Sequence, residues 1–252
     1  MKYPKIAVLN LSGNVGKSTL AVNLLAAHRP EAKFVSVETI NTTSADDVES
    51  LDVEEFAASE FKSIFREIMF NDSVIVDVGA SNVLKFMQEL TRFKSASNEI
   101  DLIVVPTVPN DKQQKDTIAT IDWLQKLGFS ADKIRVVFNM YESADSQDVE
   151  LVYSHVLGYA MTDGKNKATY EPHIVIATNE VFELMKTTRK NIRELANDPT
   201  DWRSKRAEAK AAGDANALEA AMDGQMAHDL AMTAQANLAA AADLLFSGKG
   251  RK

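Results

Sequence analysis

Short apolar runs alternate with longer segments of helical periodicity over the first two thirds of the chain. Each run is apolar nearly throughout, which is typical of strands buried on both faces of a parallel sheet. Six runs are predicted as strands: Lys5–Leu9, Lys33–Glu38, Ser73–Val78, Asp101–Thr107, Lys133–Asn139 and His173–Ala177. The alternation predicts an α/β fold, a doubly wound and mostly parallel sheet.

Between these runs, large apolar residues recur every three or four positions, as on the buried face of a helix. Three such faces are predicted: Phe56, Phe61, Ile64, Phe65, Ile68 and Met69; then Val83, Phe86, Met87, Leu90 and Phe93; then Ile118, Ile121, Leu124 and Leu127. Gly128 follows the last face, where a glycine commonly ends a helix.

The pattern changes after about residue 180, where strand signals stop and alanine becomes dominant. An apolar residue recurs at every fourth position, at Leu218, Met222, Met226, Leu230, Ala234 and Leu238. We therefore divide the chain into an α/β domain, residues 1–180, and a helical C-terminal extension, residues 181–252, expected to pack on the same domain. A helix that binds a partner or a second copy is the alternative.

The amino-acid composition excludes several kinds of site and of protein. The 252 residues carry a net charge of −8 and contain no cysteine, which excludes disulfides, catalytic thiols and iron–sulfur clusters. The N-terminal apolar run is too short for a secretion signal, and nothing approaches the ~18 apolar residues of a membrane span. We expect a cytoplasmic protein without a membrane partner.

The strongest chemical signal follows the first predicted strand. The segment Asn10 to Thr19 reads NLSGNVGKST and leads into an apolar helix. In such a loop, glycines let backbone N–H groups converge on phosphate oxygens, lysine reaches the β- and γ-phosphates, and the following serine ligates Mg²⁺. The candidate phosphate-binding residues are Gly13, Asn14, Val15, Gly16, Lys17, Ser18 and Thr19. A glycine turn with a surface lysine is the alternative.

A second signal ends the third predicted strand, where the segment from Ser73 reads SVIVDVG. An aspartate at this point of a nucleotidase holds Mg²⁺ through water, and a nearby glycine N–H contacts the γ-phosphate. Asp77 and Gly79 are the candidates, and Asp77 and Ser18 would share the metal. A strand-ending aspartate that only forms a turn is the alternative.

The segment LSGNVGKSTL resembles the deviant Walker A loop of the ParA/MinD-type P-loop ATPases. Together with the Asn-Leu-Ser start and the VETIN second strand, it is most similar to plasmid stability proteins of the StbB type. The resemblance covers about residues 1–180. It implies ATP and Mg²⁺ as cofactors, Lys17 and Asp77 in catalysis, a nucleotide-dependent homodimer, and a role in plasmid stability, partition or conjugative transfer.

Three positions depart from the family pattern. Ser12 stands where the family carries a signature lysine, Asn14 replaces the second loop glycine, and Ile40 replaces an acid linked to the attacking water. Glu38 keeps a carboxylate at the first acid position of the family pattern and is the remaining candidate acid, with a residue that only caps the strand as the alternative. The resemblance therefore implies nucleotide binding more strongly than hydrolysis, which we expect to be slow or stimulated by a partner.

The family also implies a base contact and a DNA contact. Asn139, at the end of the fifth predicted strand, matches the family's adenine-binding asparagine, although a turn residue is an equal alternative. Bases outnumber acids between Lys186 and Lys210, and family members bind DNA without sequence preference through basic C-terminal surface. The candidate DNA contacts are Arg189, Lys190, Arg203 and Arg206, with a solvated helix face as the alternative.

The opposite charge bias lies between Asp46 and Glu60, which contains seven acids and no base. This segment lies where the family has its first switch. Two interpretations remain: a surface that binds a partner, and the solvated start of a helix.

The leading hypothesis is an ATP–Mg²⁺ switch that binds ATP and ADP, a plasmid partner protein and non-specific DNA. The alternatives are a nucleotide-binding scaffold that does not hydrolyse ATP, and an ATP-dependent ligase of the dethiobiotin-synthetase kind.

Overall fold

The described part of the chain forms a parallel sheet of seven strands. The computed structural model describes residues 3–38, 53–93, 95–142, 148–162, 168–188 and 190–247. The strands lie side by side in the order β3-β2-β4-β1-β5-β6-β7. Their bounds are β1 Lys5–Val8, β2 Lys33–Val37, β3 Val53–Phe56, β4 Val74–Val78, β5 Leu102–Thr107, β6 Ile134–Tyr141 and β7 Val175–Ala177.

Helices cover both faces of the sheet. They are α1 Lys17–Leu20, α2 Phe61–Phe70, α3 Val83–Arg92, α4 Ala96–Glu99, α5 Asp111–Lys126, α6 Val149–Val152, α7 Ser154–Thr162, α8 Val181–Thr188, α9 Ile192–Ala196, α10 Trp202–Ala212 and α11 Ala215–Ser247. The first helix continues as a π-helical turn, Ala21–Leu25, and a 3₁₀ turn, Ala26–His28.

Successive side chains of each strand point to opposite faces, so the sheet divides two hydrophobic cores. In β1, Ala7 faces the core formed with α2, α3, α5 and α7, whereas Ile6 and Val8 face the core formed with the α1 segment, α8, α9 and α11. The predicted fold class is confirmed, because the unbroken apolar runs are the strands buried from both sides.

One strand of the sheet was not predicted from the hydrophobic pattern. The segment Val53–Phe56, for which the sequence predicts no strand and places Phe56 on a helical face, forms β3 and pairs in parallel with β2 at the edge of the sheet. It is short, carries two acids and is only partly buried, so it lacks the apolar run that marked the others. The sequence assignment of Phe56 to a helical face was wrong, and α2 begins at Phe61.

The face of the C-terminal helix that packs on the sheet matches the predicted one only in part: Ala234 and Leu238 are buried as predicted. Met222 and Met226 are 47% and 54% exposed, and the buried residues of α11 are mostly alanines. A repeat of four residues drifts around a helix by about 40° per step, because an α-helix has 3.6 residues per turn. The buried positions are Ala221, Ala227, Ala231, Ala234, Leu238, Ala241, Ala242 and Leu245.

The small α11 side chains bring the helix close to its neighbours. Ala231 and Leu238 join the core that contains Ile6 and Val8 of β1. Near the end of α11, the Phe246 ring lies 4.2 Å from the Arg29 guanidinium, which also donates to the carbonyl of Tyr3. Within the described residues, no helix combines the length and hydrophobicity needed to cross a membrane.

Gly224 of α11 leaves room for the Trp202 ring of α10, so that the two helices pack closely. A Cβ at Gly224 would overlap the Trp202 ring, whereas a Cβ at Gly158 in α7 would meet nothing within 4 Å. Alanine in a helix is favoured over glycine by about 0.5–1 kcal/mol. We expect Gly158→Ala to raise the free energy of unfolding by that amount. Gly224→Ala should lower it by about 1–2 kcal/mol, because the ring must move.

Urea unfolding of the two variants measures both changes, and the fluorescence of Trp202 reports its displacement. Equal stabilisation by the two substitutions would contradict the close packing of α10 on α11.

Candidate functional site

The loop between β1 and α1 lies at the carboxyl edge of the sheet. The segment after β1 packs on one face and α3, after β4, on the other, so the loops that follow these neighbouring strands diverge. Such a divergence creates the crevice in which open α/β sheets bind ligands. The sequence placed its two strongest motifs in these two loops.

The loop backbone is left-handed at two positions. Asn14 has φ 55°, a conformation that asparagine tolerates better than most residues, and Gly16 has φ 81° directly before α1. At Gly16 a side chain is also excluded by space, because a Cβ would overlap the Asn139 amide. The second glycine of the motif is thus required by the fold.

A cavity of about 540 Å³ opens above this loop. This volume is within the usual range for small-molecule sites. The lining brings together most of the predicted phosphate-site residues with side chains from β6 and α8: Asn14, Val15, Gly16, Lys17, Ser18, Thr19, Val22, Asn23, Glu38, Gly79, Ala80, Met140, Phe182, Glu183 and Met185.

Lys17 is a buried cation at the base of the loop. Its side chain Nζ donates a 2.7 Å hydrogen bond to the backbone carbonyl of Ser12. Burial lowers the pKa of Lys17, and the charges of Asp77 and Glu38 oppose this shift. An ammonium in this position has few competing partners and can be attracted strongly by an anion in the cavity.

Asp77 is a buried acid next to the loop helix. Burial raises the pKa of its carboxyl group to about 6, against the effect of a hydrogen bond from Ser18, and with a smaller upward effect of Glu38. Its Oδ1 atom has no hydrogen-bond partner in the described part of the chain. A buried unpaired carboxylate oxygen is costly and calls for a ligand.

Ser18 and Asp77 form a donor set that suits Mg²⁺. Hydroxyl and carboxylate oxygens are the ligands this hard cation prefers, and it keeps several waters of its own. The two side chains are already in hydrogen-bond contact, and Asp77 has an oxygen to spare. The residues present therefore fit the metal.

Glu38 and Gly79 come together across the carboxyl ends of β2 and β4. The Glu38 carboxylate lies over Gly79, where it occupies the space that a Cβ would need. The Gly79 N–H donates a 3.0 Å hydrogen bond to the carbonyl of Val37. A contact from this N–H to a γ-phosphate would require that bond to be exchanged, so the predicted role of Gly79 stays a prediction.

Asn139 lies behind the loop and is 6% exposed. Its Nδ2 atom donates to the carbonyl of Val15 at 3.0 Å, so the amide contacts the loop in this structure. Sequence reasoning missed Gln113 of α5, whose Nε2 donates to the carbonyls of Gly13 and Asn14 at 3.1 and 3.3 Å. The available signal was its place in the first turn of a helix that follows a central strand.

Sequence reasoning also missed the apolar part of the lining. Met140, the penultimate residue of β6, has φ 58°, and Phe182 and Met185 enter from α8. Together they form the apolar part of the cavity lining. No motif marks them, because only the packing of α8 beside β6 brings them to the cavity.

The four candidate DNA contacts have different surroundings. Arg189 lies outside the described residues. Lys190 is 3.5 Å from the Asp198 carboxylate, Arg203 is exposed, and Arg206 is half-buried in α10 with its Nε atom buried. Most of the acidic segment, from Asp46 to Asp52, and the residue Ile40 also lie outside the described residues, whereas Glu54 pairs with Lys33 at 3.4 Å.

No family model and no curated protein sequence matches the chain. Solved structures with a similar fold include apo McdA from Cyanothece, with 16% identity over 77% of this chain and 93% of that one, and a TM-score of 0.49. The cell division ATPase MinD from Pyrococcus furiosus has 15% identity over 92% and 100%, with a TM-score of 0.46. A plasmid partition protein from Borrelia burgdorferi has 14% over 74% and 95%, with a TM-score of 0.43.

Proposed function

We propose that this protein is a nucleotide-dependent switch that binds ATP with Mg²⁺ in the cavity above the β1–α1 loop. One observation carries the proposal: the buried Lys17 ammonium and the buried Asp77 carboxylate, with an unpaired oxygen, flank Ser18 beneath a loop with left-handed turns. A glycine turn with a surface lysine would leave both charges in water.

Lys17 would bind the β- and γ-phosphates. Its Nζ would exchange the single carbonyl of Ser12 for phosphate oxygens, which are stronger acceptors because they are charged. The N–H groups of the loop, from Asn14 to Gly16, would surround the same oxygens, as they do in phosphate-binding loops generally. Binding thus replaces a neutral hydrogen bond by a charge-assisted one at a buried site.

Ser18 and Asp77 would hold the metal, which when bound supplies positive charge opposite the phosphates. Asp77 must be ionised to do so, and its carboxyl pKa of about 6 means that it is mostly ionised at neutral pH. Glu38 would face the γ-phosphate from β2 and is the candidate to orient water, together with Lys17 and Asp77 as catalytic groups.

We infer that hydrolysis is slow or depends on a partner. Ser12, which stands at the position of the family's signature lysine, is 6% exposed and cannot extend a charge into the nucleotide site of a second copy. This observation favours a second candidate function, a scaffold that binds nucleotide without hydrolysing it. In either case the nucleotide would control capture of a partner or a homodimer.

The resemblance of the sequence to plasmid stability proteins of the StbB type adds a cellular role to the proposal. The switch would act in plasmid stability, partition or conjugative transfer, with a plasmid protein and non-specific DNA as partners. Arg203 in α10 is exposed and suited to a phosphate contact, whereas Lys190 would first have to release Asp198.

Calorimetric titration with ATP, GTP, ADP and AMP, each with and without Mg²⁺, tests the proposal. We expect ATP and ADP to bind in the presence of Mg²⁺ and AMP to bind at least tenfold more weakly, because Lys17 and the loop contact the outer phosphates. Phosphate release distinguishes the two candidates: slow turnover supports the switch, and none supports the scaffold. Absence of binding to both ATP and GTP would exclude the nucleotide site.

A further inference from the structure

Two side-chain amides hold the outer side of the β1–α1 loop. Gln113 Nε2 donates to the carbonyls of Gly13 and Asn14, at 3.1 and 3.3 Å. Asn139 Nδ2 donates to the carbonyl of Val15 at 3.0 Å. Three consecutive backbone carbonyls thus accept hydrogen bonds from side chains of α5 and β6. Because a carbonyl oxygen can only accept, the NH₂ end of each amide must face the loop.

Fixing these carbonyls also fixes the N–H groups of the loop. In a trans peptide, the C=O of one residue and the N–H of the next lie in one plane and point in opposite directions. Carbonyls of Gly13, Asn14 and Val15 that point at the two amides therefore direct the N–H groups of Asn14, Val15 and Gly16 away from them. A row of parallel N–H groups is the arrangement that binds an anion.

The backbone that carries each amide is held in place. The backbone carbonyl of Asn139 accepts a 2.7 Å hydrogen bond from the buried Tyr153 hydroxyl, which fixes the end of β6. Gln113 lies in the first turn of α5, where the Asn110 side chain accepts from the backbone N–H of Lys112. The Gly16 position leaves no room for a Cβ beside the Asn139 amide, so the loop and the amide fit closely.

We propose that Gln113 and Asn139 are positioning residues that form an amide clamp and orient the loop N–H groups toward the phosphates. The clamp rests on the proposed function, and it gives Asn139 a role different from the base contact implied by family resemblance. A base contact through the same N–H would require Asn139 to release Val15. The clamp acts on phosphate and does not depend on which base is attached.

Inorganic tripolyphosphate separates the two roles, because it carries the phosphates of ATP without a base. The variants are Gln113→Met and Asn139→Leu, which keep approximate size and remove the donors without adding charge. Gln88→Met replaces an exposed glutamine of α3 and is the matched control. Titration calorimetry of each protein with ATP–Mg²⁺ and with tripolyphosphate–Mg²⁺ gives the affinities.

We expect each clamp variant to bind both ligands about tenfold more weakly, by the same factor for ATP and tripolyphosphate, since each loses one oriented set of hydrogen bonds. The control should bind both like the wild type. Weakening of ATP alone by Asn139→Leu would show a base contact and overturn the clamp, and so would unchanged affinity in Gln113→Met.

Backbone ¹⁵N relaxation of the loop amides keeps the clamp testable apart from nucleotide binding. In the ligand-free protein, Gln113→Met should lower the order parameters of the N–H groups of residues 14–16 and leave those of β1 unchanged. If the wild type binds neither ligand, the proposed function fails, and the clamp stands or falls by this relaxation measurement. Because Gln113 is only partly buried, its variant tests the clamp even if Asn139→Leu does not fold.

Discussion

Replacing Lys17 with methionine should weaken ATP–Mg²⁺ binding at least a hundredfold while leaving the free energy of unfolding nearly unchanged. The lost interaction is a charge-assisted contact with phosphate in a site removed from water, and a hundredfold corresponds to about 3 kcal/mol. Stability should change little, because burial of the ammonium lowers the pKa of Lys17 and so opposes folding of the charged form. Methionine fills similar space without that cost.

Lys115→Met is the matched control, because Lys115 is an exposed lysine of α5, outside the cavity lining. Titration calorimetry measures the affinities, and urea unfolding measures the stabilities. Wild-type affinity in Lys17→Met would contradict the phosphate contact. A large loss of stability would instead mean that the bond from Nζ to the Ser12 carbonyl holds the loop together in the free protein.

The two motifs of the site could be predicted because their chemistry is local in the sequence. The segment from Gly13 to Thr19 contains the loop, the buried cation and a candidate metal ligand in consecutive positions, and Asp77 lies near the end of an unbroken apolar strand. Gln113 could not be predicted in the same way. It is 100 residues from Gly13, and only the packing of α5 beside β1 and β5 brings its amide to the loop.

The elements predicted correctly are those whose buried residues are also strongly hydrophobic, and the errors lie where buried positions are polar or small. The six buried runs became strands, but β3 lies at the edge of the sheet and keeps two acids. On α11 the buried face consists mostly of alanine, whose small side chain lets the helix lie close to the sheet, together with Leu238 and Leu245, while Met222 and Met226 remain outside. Hydrophobicity alone therefore did not identify this face, because small side chains form most of the contact.

Asp77→Asn should stabilise the metal-free protein and remove its response to Mg²⁺. The carboxyl pKa is about 6 in the folded protein, against the ordinary value of 3.8. As pH rises through this window the unfolded chain loses its proton first, so the wild type loses stability until the carboxyl is ionised in both states. The full cost is about 3 kcal/mol, and asparagine, neutral at every pH, avoids it.

The difference in unfolding free energy between variant and wild type should therefore be small below pH 4 and reach its maximum above pH 6. Urea unfolding at pH 4 and pH 8 measures it, with Asp223→Asn, an exposed acid of α11, as the control. A difference that stays constant with pH would mean that burial of the Asp77 charge is not its origin.

Mg²⁺ together with ATP should make the wild type more stable than Asp77→Asn, the reverse of the order without ligand. With ATP and Mg²⁺ present, the ionised Asp77 gains a cation beside its unpaired oxygen, and binding stabilises the folded wild type by mass action. The asparagine variant keeps a hydrogen-bond partner for Ser18 but has no charge to offer the metal, so its stability should hardly respond to Mg²⁺. The charge that destabilises the free protein is thus the same charge through which Mg²⁺ binding would stabilise the folded state.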